Sequence, residues 1–386
     1  MKRRELFIGG LAGALGSMTG CKHRHTTVPD VDPDVGKKNH PETVAVSVAV
    51  SPGKADEVRA RLEDHVFEVA APGVHYARML LLPDNQLLLT AVFDDDREAF
   101  LQLMARNAER TDRVLSLTVG YPPEGAANSE VFGQWVTDNA RPNLMLYSAF
   151  SDGSEPAMRE ATVLRSEFLH LVRDVQRDPS SVEAAYTKFI ANNRKRLDTH
   201  EENAVDQLTP VQLTSPRRQN PFTMVFDVRP DQVKRTMDTL KIGQWAIDNF
   251  HIHPLKQIPT VHYARFYEIT RTKLLFCSVY DGEWEQYVTD FAVHIPNKLD
   301  KVWGGAVGYP KGGAADAPAL QKFLEERRIE RDYFYSAQSD ATVKALQSSL
   351  RLGGKLVGFS KRAPTDGPAL VRHIDRFVRE HQAWLA

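Results

Sequence analysis

Cysteine is almost missing from this chain, with only Cys21 and Cys277 among 386 residues. Cys21 follows an N-terminal apolar run, so the folded body keeps a single thiol and its core must hold together without an internal disulfide. An excess of either charge is missing as well. Lys and Arg number 49 against 50 Asp and Glu, a net charge of −1, which removes the basic footprint of a nucleic-acid-binding surface. Long apolar runs are also absent: Leu6 to Leu15 is short and glycine-rich, where roughly 20 apolar residues are needed to cross a bilayer. The chain has no phosphate loop, no nucleophile elbow and no Cys-x-x-Cys.

What the chain does have is repetition. Val-His-Tyr-Ala-Arg stands at Val74 to Arg78 and again at Val261 to Arg265, 187 positions on. Val-Gly-Tyr-Pro recurs at Val119 and Val307, and Tyr-Ser-Ala-x-Ser-Asp at Tyr147 and Tyr335, both 188 positions apart. Three matches in near-constant register mark a duplicated domain, and each copy is long enough to bury its own core.

The N-terminus reads as an export signal, with Lys2, Arg3 and Arg4 ahead of the apolar run and small residues after it. Met18-Thr19-Gly20-Cys21 resembles a bacterial lipobox, which makes Cys21 the expected lipidation site and membrane tether. Arg3-Arg4-Glu5-Leu6-Phe7 resembles a twin-arginine signal. The expected location is the periplasmic side of a bacterial membrane. Residues 1–20 are assigned to the signal and 21–42, rich in Pro, Asp, Lys and His, to a disordered tether.

Alternating Val44, Val46, Val48 and Val50 open the folded part as a strand. Helical spacing follows at Ala55, Val58 and Leu62, then two strands across Pro83-Asp84-Asn85-Gln86, a helix around Leu103, an amphipathic segment at Phe132 and Trp135, and a strand from Asn143. The second copy repeats this order from Phe222 to Ala337. Strand-helix-strand-strand-helix-strand is the split βαβ of ferredoxin-like domains. The expected fold is α+β, with two tandem ferredoxin-like repeats, 43–171 and 221–361, packed sheet to sheet as an internal pseudo-dimer, so that a monomer suffices. A crossing linker, 172–220, and a C-terminal helix, 362–386, complete it. Ser151-Asp152 and Ser339-Asp340 are placed to cap helices. The second copy carries about 12 extra residues around Trp245, His251 and His253.

The paired histidines are the first candidates for chemistry. Strict alternation puts His75 and Ala77 on one face and Tyr76 and Arg78 on the other, and likewise from His262 to Arg265. Each histidine could be a ligand or general base, or could satisfy a backbone carbonyl in the hairpin. Asp94 and Asp281 also correspond and could cap a helix or pair with Arg78 and Arg265. His251 and His253 share a strand face but have no further ligand to complete a metal set. Tyr263, Tyr280, Tyr309, Tyr333 and Tyr335 fit a core better than a radical relay.

At this level the chain resembles the dimeric α/β-barrel superfamily and, within it, the dye-decolourising haem peroxidases, which carry two ferredoxin-like domains in one chain. Those enzymes show Gly-x-x-Asp-Gly. The nearest string here, Ser278-Val279-Tyr280-Asp281-Gly282, lacks the first glycine. The resemblance implies a haem-dependent, peroxidase-like oxidoreductase acting on a small-molecule substrate, although no histidine here matches the haem ligand of those enzymes; on that reading the residues expected to act are Asp281 as acid/base, Arg265 as stabiliser of developing anionic charge and His262 as ligand. The alternative is a non-catalytic lipoprotein that binds a lipid, a small apolar ligand or a protein partner. Either function is expected where the copies differ, in the second repeat.

Overall fold

The structure is a computed structural model that describes residues 41–63, 73–94, 97–150, 153–198, 219–250, 254–255, 257–329 and 332–385. The export signal, Cys21, residues 22–40 of the expected tether, Ser151, Asp152, His251 and His253 lie outside the described residues. The described chain is mixed α+β, with two four-stranded antiparallel sheets. None of its helices is long and apolar enough to cross a membrane.

The first copy supplies β1 (Glu42–Ala49), α1 (Ala55–Glu63), β2 (Val74–Leu81), β3 (Gln86–Phe93), α2 (Arg97–Arg106), α3 (Ala108–Leu115), α4 (Ser129–Asn139) and β4 (Asn143–Ser148). Two helices follow, α5 (Glu155–Arg177) and α6 (Val182–Asp198). The second copy supplies β5 (Gln219–Asp227), α7 (Val233–Phe250), β6 (Val261–Thr270), β7 (Lys273–Asp281), α8 (Trp284–His294), α9 (Pro296–Trp303), α10 (Ala317–Glu325) and β8 (Asp332–Ser336). The chain then closes with α11 (Val343–Lys361), α12 (Gly367–Glu380) and α13 (Gln382–Leu385).

Neither sheet is built from one copy alone, which corrects the expectation of two self-contained ferredoxin-like units. The strand orders are β1-β3-β2-β8 and β4-β6-β7-β5, so each copy gives its last strand to the other's sheet. The registers show what this brings together. Tyr147 and Ser148 lie opposite Ala264 and Tyr263, and Tyr335 and Ser336 opposite Ala77 and Tyr76. The Tyr-Ser-Ala motif of one copy therefore lies along the His-Tyr-Ala-Arg motif of the other.

The outer edges are joined as well. Short bridges link Val46 to Ala140 and Met224 to Arg328, and Arg141 N and Ile329 N donate to Ala45 O and Thr223 O. These contacts cover the β1 and β5 edges, which would otherwise present open pairing groups. Between the sheets, Tyr76 and Val92 pack with Tyr263 and Val279, and Ala45, Leu80 and Leu88 with Tyr267, Leu275 and Cys277. Each fully buried aliphatic side chain in that layer contributes roughly 1.5–3 kcal/mol.

Alternation along β1 sends Val44, Val46 and Val48 to the opposite side, where Val58, Phe100, Phe132 and Trp135 of the covering helices meet them. The second sheet is covered in the same way by Leu240, Phe291, Trp303 and Leu320. Both Gly-Tyr-Pro loops are tied down: the Tyr121 and Tyr309 hydroxyls donate to Asp112 and Asp300, each of which also accepts a loop amide at 2.8 Å, from Ala126 or Ala314. Gly120 and Gly308 turn these loops at φ 71° and 76°.

Residues 172–198 of the expected linker belong to α5, α6 and the short turn between them, while residues 199–218 lie outside the described residues. Helix α5 runs unbroken through Val172, so the expected boundary falls inside a helix. Its cap is Ser154, whose side chain accepts from Ala157 N, and the cap of α11 is Thr342 rather than Ser339 or Asp340. Helices α5, α6, α11 and α12 form a separate layer around Phe168, Phe189, Phe359 and Phe377.

Because each sheet needs the other copy's last strand, a fragment ending after α6 and one starting at β5 should not fold as monomers. Expressed separately they should be unstructured or self-associated, and co-expression should restore a one-to-one complex by size exclusion and circular dichroism. A monomeric half that unfolds cooperatively would refute the strand exchange.

Candidate functional site

Each first hairpin strand opens with a break in register, between Val74 and Tyr76 in β2 and between Val261 and Tyr263 in β6. The extra residue at such a bulge leaves the ladder and redirects its side chain. Strict alternation therefore fails at His75 and His262. The His75 ring lies 5.6 Å from that of Tyr263, and Tyr76 and Tyr263 meet at 4.9 Å, so histidine and tyrosine of both motifs converge at the junction of the sheets. The carbonyls of His75 and His262 accept from Ala337 N and Ala149 N just beyond the exchanged strands.

Both histidines are committed to aspartate. His75 Nε2 lies 2.7 Å from Asp94 Oδ1, and His262 Nε2 lies 2.7 Å from Asp281 Oδ1. The second oxygen of each carboxylate accepts a helix amide: Asp94 Oδ2 from Glu155 N at 2.6 Å, and Asp281 Oδ2 from Val343 N at 2.8 Å. Those amides open α5 and α11, where the first N–H groups lack intrahelical partners and the helix dipole favours a negative charge. The expected pairing of Arg78 and Arg265 with these aspartates does not occur, because histidine and helix already occupy both carboxylates.

One histidine has a third partner. The carboxylate fixes the Nε2–H tautomer of His262 and leaves Nδ1 as an acceptor, to which the Tyr76 hydroxyl donates at 3.0 Å. Phenol, imidazole and carboxylate thus form one line in which a proton could be passed. The line is sealed, with His262 fully buried and Asp281 only 10% exposed. Burial pushes the Tyr76 phenol well above its ordinary range, so it stays neutral. The Tyr263 hydroxyl, also buried, reaches no partner at bonding geometry, although Ser148 lies beside it.

Around the clamps the copies differ at two places. Val343 of the second copy corresponds to Glu155 of the first, which is buried, accepts from Arg159 at 2.5 and 2.9 Å and from Gly73 N at 3.3 Å, and lies near His75. Burial raises its carboxyl above the ordinary value, and Arg159 offsets part of the rise. The second difference sets the two arginines apart. Arg78 Nη1 crosses to Phe222 O at 2.9 Å, and sheet register makes Val44 O the matching acceptor for Arg265. Tyr267, where the first copy has Leu80, reaches toward that carbonyl instead and also bonds Thr43. Arg265 is left fully buried with no guanidinium nitrogen at hydrogen-bonding geometry; it lies beside the Tyr267 hydroxyl and holds down in part the phenol that burial pushes up to about 12.

Of the three residues expected to act together, the structure joins His262 to Asp281 and leaves Arg265 apart. Sequence reasoning missed Tyr76 and Glu155 as partners; aligning Glu155 with Val343 would have flagged the second. Trp245 and Phe250 of the inserted stretch lie exposed on α7, in edge contact at 5.1 Å. No group of three or more possible metal ligands occurs among the described residues.

Nor do the residues around His262 fit a haem. Both ring nitrogens are engaged, the ring is enclosed by Tyr76 and Phe150, and a porphyrin pocket needs several hundred Å³ beside it. The cavity beside the first hairpin, bounded by Val74, Met79, Phe100 and Tyr333, has about 20 Å³, room for roughly one water. The large cleft, about 530 Å³, lies between α11 and α12.

Comparison with known proteins adds little. No family model and no curated protein matches the chain. Among solved structures it is similar to a candidate monooxygenase from Fusobacterium nucleatum, with 10% identity over 70% of this chain and 88% of that one, TM-score 0.31. It is also similar to an anthrone oxidase-like protein, with 11% identity over 79% and 96% of the two chains, TM-score 0.26. Likeness at this level carries no argument about the chemistry here.

Two outcomes test the site. Arg265→Met removes a buried cation that no acceptor reaches at bonding geometry and should be neutral or stabilising by about 1–4 kcal/mol, whereas Arg78→Met removes a buried, charged cross-sheet hydrogen bond to Phe222 O and should cost about 1–3 kcal/mol. Equal losses in urea denaturation would refute this asymmetry. For Glu155, the folded chain holds the proton more tightly than the unfolded one, so its contribution to stability is lost as pH rises above about 4.5. Glu155→Gln should therefore gain stability relative to wild type between pH 4 and pH 7, and a pH-independent difference would contradict the raised carboxyl.

Proposed function

We infer that this chain is a non-catalytic binding protein, exported and lipid-anchored through Cys21, in which the duplicated His-Asp pairs are structural. The observation that carries this reading is the saturation of the expected active site. His262 spends both nitrogens within the fold, Asp281 both oxygens, and the pair is closed to solvent by the exchanged strand and α11. A catalytic acid or ligand needs a free position facing substrate, and none of these atoms has one. The retention of the same clamp in both copies supports the reading further, since α5 and α11 each require it.

The peroxidase-like alternative needs haem at His262 and anion stabilisation by Arg265. The enclosed imidazole does not suit the first, and Arg265 points its charge into the layer between the sheets rather than toward Asp281. Membrane attachment through Cys21 belongs to the same proposal and rests on the lipobox-like sequence.

Absorption spectroscopy of protein from a haem-replete host separates the two readings. The expected result is no Soret band, none after haem titration, and a loss of about 1–3 kcal/mol in stability for Asp281→Asn, which weakens both the histidine bond and the helix cap. A Soret band that disappears in His262→Ala, with peroxide-dependent dye oxidation, would overturn it.

A further inference from the structure

The helical layer carries a site that the His-Asp clamps do not touch. Helices α11 and α12 bury Leu352, Leu356 and Phe359 against Leu370, Ile374 and Phe377, and a cleft of about 530 Å³ opens along their outer groove. That is the size of pocket that takes a small organic ligand.

Its charge is out of balance. Lys355, Arg362 and Arg376 line it against a single carboxylate, Glu380, in a chain whose overall charge is −1. Surface cations on helices commonly pair with acids one turn away, as Arg379 does with Asp375 on this same helix. Among the described residues the side chains of Lys355 and Arg376 make no hydrogen bond or ion pair, and the one side-chain hydrogen bond of Arg362 runs from Nε to Gly358 O of its own helix. Three cations held around a concave surface with their charged ends unpaired are suited to an anion.

The wall between them is aromatic and fixed. His373 stacks on Phe359 at 4.6 Å while its Nε2 donates to Phe359 O at 3.2 Å. His381 stacks on Phe377 at 4.2 Å while its Nδ1 donates to Phe377 O at 2.8 Å. Each imidazole is thereby held in one orientation by its own neighbour, and its second nitrogen has no hydrogen-bond partner among the described residues. Such a wall offers the flat faces of two imidazoles, each backed by a buried phenylalanine, without having to be ordered on binding.

We propose that this cleft binds a soluble phosphate monoester carrying a flat apolar group, the phosphate taken by Lys355, Arg362 and Arg376 and the apolar group by the stacked rings. The proposal rests on the non-catalytic binding role inferred above and supplies its ligand class. Glu380, the one opposing charge, limits affinity.

The test uses the full chain and 1-naphthyl phosphate, followed by isothermal titration calorimetry and naphthyl fluorescence. Saturable one-to-one binding is expected, with inorganic phosphate at least tenfold weaker. Lys355→Ala with Arg376→Ala, both exposed, should weaken it at least tenfold with an unchanged unfolding midpoint, and Glu380→Gln should tighten it two- to threefold. No saturable binding, or equal binding by the double variant, would overturn the proposal. So would capture by vesicles containing phosphatidic acid, but not phosphatidylcholine, with no binding of naphthyl phosphate, since the ligand would then be a lipid headgroup. Failure of any of these leaves the haem titration unaffected, so the two readings fall separately.

Discussion

A carboxylate shared between a histidine and the start of a helix is the interaction on which the rest of this architecture depends. Asp94 sits at the end of β3 in one sheet, yet the helix whose first amide it binds, α5, emerges from β4 in the other. Asp281 does the same in the opposite sense for α11. Each aspartate therefore ties a hairpin of its own sheet to the element that leaves the partner sheet, and so fixes the exchanged strand at its exit. Hydrogen bonds to an ionised group are about twice as strong as neutral ones. Here each carboxylate makes two, with its histidine held in turn by a bulge. Strand pairing alone would not set where α5 and α11 begin.

The duplication explains why the clamp is retained twice and also why the surrounding polar groups are not symmetric. In an exactly repeated layer, Arg265 would reach Val44 O as Arg78 reaches Phe222 O. Replacing the Leu80 position by Tyr267 gives the second copy a phenol that spans the layer to β1 and takes that acceptor. Cross-sheet attachment is made by a different side chain, and Arg265 is left without an acceptor at bonding geometry. Glu155 is the reciprocal case: it adds a buried charge near His75 where the second copy needs only Val343, and Arg159 is recruited to offset it. Both changes occur beside the clamps without disturbing either one.

Much of this fold can be seen in the residues. Alternation at Val44, Val46 and Val48 marks a strand whichever sheet it joins, and Asn85, at φ 58°, tolerates the left-handed turn that closes the first hairpin. The exchange itself has no such signal. The apolar positions of β4, Leu144 and Tyr147, would be the same beside β2 as beside β6, because alternation reports which faces are buried and not which neighbour supplies the hydrogen bonds. The bulge at His75 is hidden for the same reason, and with it the convergence of Tyr76, Tyr263 and His262. Helix α5 was obscured by composition: Arg173, Asp174, Gln176 and Arg177 near its end are polar because they face solvent, and that reads as a linker until Leu164, Phe168, Leu171 and Val175 are seen on one stripe.

The repeated Val-His-Tyr-Ala-Arg is the most conspicuous feature of the chain, and its prominence pointed to chemistry for a reason that the geometry reverses. A motif kept twice in one chain must satisfy a requirement that arises twice, and here that requirement is the exit of an exchanged strand into a helix. A ligand site carries no such constraint, since one per chain suffices. It should then be sought outside the repeated sheets, in the helical layer to which α12 belongs. The groove it makes with α11 is where cations remain unpaired and where rings are already fixed in place, which separates the part of the molecule that holds the fold from the part left free to bind.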